Sequence, residues 1–136
     1  MALLFSSVVR RHMKGTSGFA AAAENAALPA SVTLDGDEAL VGSYRNPAPW
    51  EETSLVFTSE AIWIVEGDKT ERMALRDIVG YESPGTKSGV TGLRVRTRDG
   101  FRFIRIAGAY GPNGKYKDFI GFMMVLRAVV GSASVT

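Results

Sequence analysis

The run Gly92-Leu-Arg-Val-Arg-Thr-Arg-Asp-Gly-Phe-Arg-Phe-Ile-Arg-Ile106 leaves this chain few ways to fold. Two alternating stretches flank Asp99-Gly100, and Asp-Gly between alternating stretches is a strong hairpin signal, because a tight two-residue turn needs positive φ at its centre. With Asp99-Gly100 as that centre, Arg98 faces Phe101, Arg96 faces Phe103, Val95 faces Ile104, Arg94 faces Arg105 and Leu93 faces Ile106. One face then carries Leu93, Val95, Ile104 and Ile106 and is the core face. The other carries Arg94, Arg96, Arg98, Phe101, Phe103 and Arg105.

Short strands precede this hairpin. The expected spans are Glu38–Arg45, Thr53–Phe57, Ala61–Val65, Thr70–Leu75 and Asp77–Glu82. Asn46-Pro-Ala-Pro-Trp50 interrupts the ladder, since proline cannot donate to it. Ser59-Glu60 and Gly67-Asp68 read as tight turns, and Pro84–Gly89 and Gly108–Gly114 as loops. From about Lys115 the apolar period changes from two to 3.6. Phe119, Phe122, Met123, Leu126 and Val130 define a buried helical face, and Gly131 is expected to end it. At the other end, residues 2–13 read as a short helix with Leu3, Leu4, Val8 and Arg11 near one stripe. Gly15–Gly18 reads as a linker, and the alanine-rich Phe19–Leu28 as a second helix. The expected organisation is a helical and linker extension over 1–33, a domain over 34–131 and a loose tail over 132–136.

Seven antiparallel strands and one amphipathic helix pack most simply as an α+β, mainly β fold. Strands one to four form one sheet, strands five to seven another, and the last helix closes the space between them. The order of Leu34-Asp-Gly-Asp-Glu38, Leu55-Val-Phe-Thr-Ser-Glu-Ala-Ile62, Met73-Ala-Leu-Arg-Asp-Ile78 and the terminal helix resembles the pleckstrin-homology-like fold, in its bacterial and GRAM-related form. The likeness covers about residues 34–130. It implies a split barrel and a binding module without catalysis. Many members of that family bind phosphoinositides through basic residues around the first loop. Here the corresponding stretch is Arg45-Asn-Pro-Ala-Pro-Trp-Glu-Glu52, with one base and two glutamates, which disfavours a phosphorylated headgroup.

Composition narrows the chemistry. The 136 residues include no cysteine and a single histidine, His12. Disulfides, thiolate sites and multi-histidine metal sites are excluded, and no paired-carboxylate motif stands out. No catalysis, metal or cofactor is expected. Asp35, Asp37 and Glu38 lack a calcium loop around them, and Gly85-Thr-Lys-Ser-Gly89 lacks the full phosphate-loop spacing. No run approaches the ~20 apolar residues of a spanning helix. The first residues are apolar and then basic, the reverse of a secretory signal, so a cytoplasmic protein is expected, with a peripheral place at the membrane as the alternative.

The net charge of +2 hides an asymmetry. Residues 37–70 hold seven acids against two bases, and residues 71–107 hold eight bases against four acids, giving −5 and +4. A nucleic-acid binder usually presents one dominant basic field. This pattern suits self-association or an acidic partner as well as it suits a nucleic acid; the expected partner is a protein or a second copy, not nucleic acid. The candidate contact residues are Arg94, Arg96, Arg98, Phe101, Phe103 and Arg105, because stacked arginine and aromatic side chains are enriched at binding hot spots. Trp63 joins them. If Ile62 and Ile64 point inward, Trp63 points outward, onto a surface that the N-terminal segment or another chain covers. Trp50 is a loop anchor or an exposed contact. The alternative function is peripheral membrane or anionic-ligand binding through the same arginines and the basic N-terminal segment.

Overall fold

The structure is a computed structural model, and it describes residues 5–14, 16, 18–21, 28–29, 31–34, 36–46, 52–82, 92–105 and 117–135. In chain order the elements are α1 (Phe5–Met13), β1 (Phe19–Ala21), β2 (Leu40–Arg45), β3 (Thr53–Thr58), β4 (Ala61–Glu66), β5 (Lys69–Ala74), a 3-10 turn (Leu75–Asp77), β6 (Ile78–Glu82), β7 (Gly92–Thr97), β8 (Gly100–Arg105) and α2 (Lys117–Val135). The fold is α+β and mainly β. β1 to β5 form one antiparallel sheet in sequence order, and β6 to β8 form a second. No backbone ladder joins the two sheets among the described residues, so there is no closed barrel.

The division into two sheets follows the sequence expectation, but the described residues hold eight strands rather than seven. The additional strand is Phe19–Ala21, where helix propensity pointed to a helix. It pairs antiparallel with β2, Phe19 opposite Tyr44 and Ala21 opposite Gly42, and it covers an edge that β2 would otherwise leave open. Phe19 gains a ring contact with Phe57, centroids 6.2 Å apart. The tenths of a kcal/mol by which alanine favours a helix are small beside burial of an aromatic ring. Residues 22–27, the rest of the expected helix, lie outside the described residues.

One cluster of buried side chains unites every layer. Leu93, Val95 and Ile104 of the hairpin are fully buried, as the alternating pattern requires; Ile106 lies outside the described residues. From the five-stranded sheet come Tyr44, Leu55, Phe57, Ile62, Ile64 and Met73. Phe57 is the hub. Its ring stands 6.4 Å from Phe5 of α1 and 6.2 Å from Phe122 of α2.

Both helices belong to this core. α1 buries Phe5, Val9 and Met13, one side chain per turn, rather than the expected stripe through Val8 and Arg11. Its basic last turn, Arg10 to His12, suits the negative end of the helix dipole. Thr16 closes the end, donating its hydroxyl to the Met13 carbonyl at 2.7 Å. In α2, Phe119, Phe122, Val125, Leu126 and Val129 are buried, while Met123 and Val130 are half-buried at the margin. The helix runs on to Val135 instead of ending at Gly131, because one glycine costs only about 1 kcal/mol within a helix. Gly121 is where the helices touch: a Cβ there would lie 2.6 Å from the His12 carbonyl oxygen. A further tie is Tyr44, whose buried hydroxyl donates to Asp118 at 2.6 Å in the first turn of α2, the end that favours a carboxylate.

Candidate interaction face on the three-stranded sheet

The hairpin turns at Arg98-Asp99, not at Asp99-Gly100. Thr97 pairs with Gly100, Arg96 with Phe101, Val95 with Arg102, Arg94 with Phe103, Leu93 with Ile104 and Gly92 with Arg105. The turn is fixed by Thr97, whose hydroxyl accepts from the Asp99 N–H at 3.3 Å and donates to the Gly100 carbonyl at 3.1 Å. Gly100 takes φ +135°, which a side chain would strain. The Arg98 N–H reaches the Asp77 carbonyl at 3.0 Å.

Each expected partner is thus displaced by two residues. Side chains alternate with period two, so a shift of two changes the neighbours and preserves the faces. Arg94, Arg96, Phe101, Phe103 and Arg105 remain on the outer face, with Arg98 in the turn at its end. The expected opposition of Arg94 and Arg105 does not form. Nor do Arg98 and Arg96 take the rings assigned to them. Instead Arg94 lies over Phe101 at 5.6 Å, and Arg105 over Phe103 at 5.8 Å.

Acids answer most of these cations. Arg94 pairs with Glu82 on the neighbouring strand at 2.8 Å. Arg98 stands 3.9 Å from Asp77, and Arg105 3.9 Å from Glu66 of the other sheet. Arg102 bonds Glu71 of β5, which also bridges the sheets. The acidic and basic halves of the sequence therefore meet within one molecule, across the gap that backbone pairing leaves open. Asn46 adds a neutral bridge there, donating to the Arg105 carbonyl at 3.1 Å. Arg96 differs. Its guanidinium lies over Gly80, where a Cβ would come within 2.9 Å of it.

The outer face also holds apolar surface. Phe101 is 55% exposed, Val79 40% and Phe103 38%. Sequence reading missed Val79. A bulge between Ile78 and Gly80 sets it beside Gly80 on the outward side, and no composition cue marks that bulge.

Trp63 lies elsewhere. It is on the outer side of the five-stranded sheet, half-buried, with Ile62 and Ile64 on the core side as expected. Its indole N–H donates to Glu38 at 3.1 Å, and the Arg72 guanidinium sits 5.9 Å from the ring centroid. Glu38 has a fully buried side chain, which also accepts from the Thr58 hydroxyl and faces Arg72 at 3.5 Å. Ser31 is tied to the same side of the sheet through Thr70 at 2.6 Å. Glu38, just before β2, thus holds the tryptophan from within the same chain. Glu38 was legible only as the acid that opens the first expected strand; its role needs β3, β4 and β5 beside it. Trp50 and the Pro84–Gly89 loop lie outside the described residues, save that Arg45 and Glu52, flanking the first loop, form an exposed pair at 3.5 Å.

Among the described residues no helix is long and apolar enough to cross a membrane. Compared with protein-family models, curated proteins and solved structures, the chain matches none of them.

Proposed function

We propose that this chain is a non-catalytic binding module of pleckstrin-homology-like architecture that acts in the cytoplasm through protein–protein contacts or self-association. The reading is carried by the outer face of β6–β8, where Val79, Phe101 and Phe103 stand exposed together among arginines. Exposed aromatic rings fenced by arginine are the composition of contact hot spots. The architecture is supported by the five-plus-three division of strands, the short turn between β5 and β6, and the terminal helix that packs into the core. Lipid recognition is the weaker alternative. The cations a headgroup would want are largely engaged: Arg45 by Glu52, Arg94 by Glu82, Arg102 by Glu71.

The test is a double variant, Phe101→Ser with Phe103→Ser. Both side chains are partly exposed, so the fold should survive, which circular dichroism checks. Light scattering of the two proteins, and the set of proteins each retains from a cell extract when immobilised, should differ clearly. Identical mass and identical retention would remove the reading.

A further inference from the structure

We infer that the outer face of β6–β8 takes a protein segment that presents carboxylates and apolar side chains on the same side of an extended chain, and not the same face of a second copy of this chain. The inference rests on the reading above, that this face makes the module's contacts.

Charge selects between the two occupants. The outward strand positions hold three arginines, Arg94, Arg96 and Arg105, and one carboxylate, Glu82. Glu82 is taken by Arg94 at 2.8 Å. Arg96 lies over Gly80, and among the described residues it has no ion pair. Arg98, 68% exposed, has Asp77 only at 3.9 Å, beyond hydrogen-bond length. Two copies pressed face to face would bring Arg96 and Arg98 of each against a second cationic surface, while both were losing water. Like charges so placed oppose association. An acidic segment reverses the sign of that term.

Spacing selects the form of the segment. Phe101 stands directly opposite Arg96 in the ladder and carries the Arg94 guanidinium at 5.6 Å. The Arg96 guanidinium turns the other way, over Gly80 of β6, so the ring carries one cation and a second lies on the far side of β7. Arginine held flat on a ring or on a glycine still directs its N–H groups sideways, where a carboxylate can accept two of them. An extended chain sends every second side chain to the same side and those between to the opposite side. A carboxylate two positions from an apolar residue would meet Arg96 or Arg98 while that apolar residue met Phe101.

The probe is a fluorescein-labelled peptide of repeated Glu-Glu-Leu-Leu, which sets glutamate and leucine in turn on each side of an extended chain, followed by anisotropy against the full chain. Controls are the same peptide with lysine for glutamate, vesicles of phosphatidylserine and phosphatidylcholine, and light scattering of the chain alone. The glutamate peptide should bind saturably and the lysine peptide should not. Arg96→Gln with Arg98→Gln should weaken binding about tenfold, and so should a rise from low to moderate salt. Phe101→Ser should weaken it at any salt. Equal binding of both peptides, no binding of either, unchanged affinity in the arginine variant, or sedimentation with vesicles in place of peptide binding would each overturn the inference. Self-association lost in the Phe101/Phe103 variant, without peptide binding, overturns this inference and leaves the broader reading standing. Indifference of every assay to Phe101 and Phe103 removes both.

Discussion

At the scale of single residues, Glu38 and Gly100 show how much one position can decide. Glu38 is a buried carboxylate held by Thr58, Trp63 and Arg72. Replacing it by alanine takes from the Trp63 indole N–H its acceptor and leaves the buried Thr58 hydroxyl with the Ala61 carbonyl alone. Glu38→Ala is therefore expected to cost about 1–3 kcal/mol, the penalty of an unmet buried polar group. Urea unfolding measures it. In a Trp50→Phe background, the emission of Trp63 should move as well. Gly100 occupies φ +135°, and Gly100→Ala should destabilise by roughly 1 kcal/mol or more, since alanine cannot relax there. Asp99→Ala should cost less, because the turn's hydrogen bonds use the Asp99 backbone and the Thr97 hydroxyl. The Asp-Gly pair announced a turn but not its centre. A threonine hydroxyl two positions earlier moved it, and side chain–backbone bonds of that kind are invisible to a dipeptide rule.

At the scale of elements, period was a sound guide and propensity a poor one. The hairpin's faces, the strands of β2 to β8 and the helical face of α2 follow from apolar spacing alone. Phe19–Ala21 does not, because its partner strand is twenty or so residues away and alanine is silent about neighbours. α1 also depends on what it meets. Phe5, Val9 and Met13 are fully inward, with Val8 packed at the margin, because Phe57 and α2 lie on that side. The α1–α2 contact gives a direct test at Gly121. Gly121→Val would place a Cβ 2.6 Å from the His12 carbonyl, which belongs to a helix backbone and cannot swing aside. Overpacking of this kind costs about 1–3 kcal/mol. A lower melting temperature, together with faster amide exchange across α1, is the expected outcome. Gly131→Ala, exposed and with nothing near its Cβ, should stabilise slightly.

At the scale of the whole molecule, two kinds of force join the sheets, and they differ in weight. Phe57 contacts rings from α1, β1 and α2. Phe57→Ala should cost about 3–5 kcal/mol in thermal or urea unfolding. The bridge between Arg102 and Glu71 is exposed, and Arg102→Gln should cost under about 1 kcal/mol. If the arginine variant proved the more damaging, the core would not be what holds the sheets together. The sequence by itself determined the alternation of faces and the buried stripe of the last helix, because these depend on the spacing of apolar residues along one chain. It determined the charge imbalance too, but not its meaning. Only the tertiary structure set Glu66 and Glu71 against Arg105 and Arg102, covered Trp63 with Glu38 and opened Val79 outward at a bulge. Those relations join positions distant in the chain, and close approach in space, not local periodicity, brings them about.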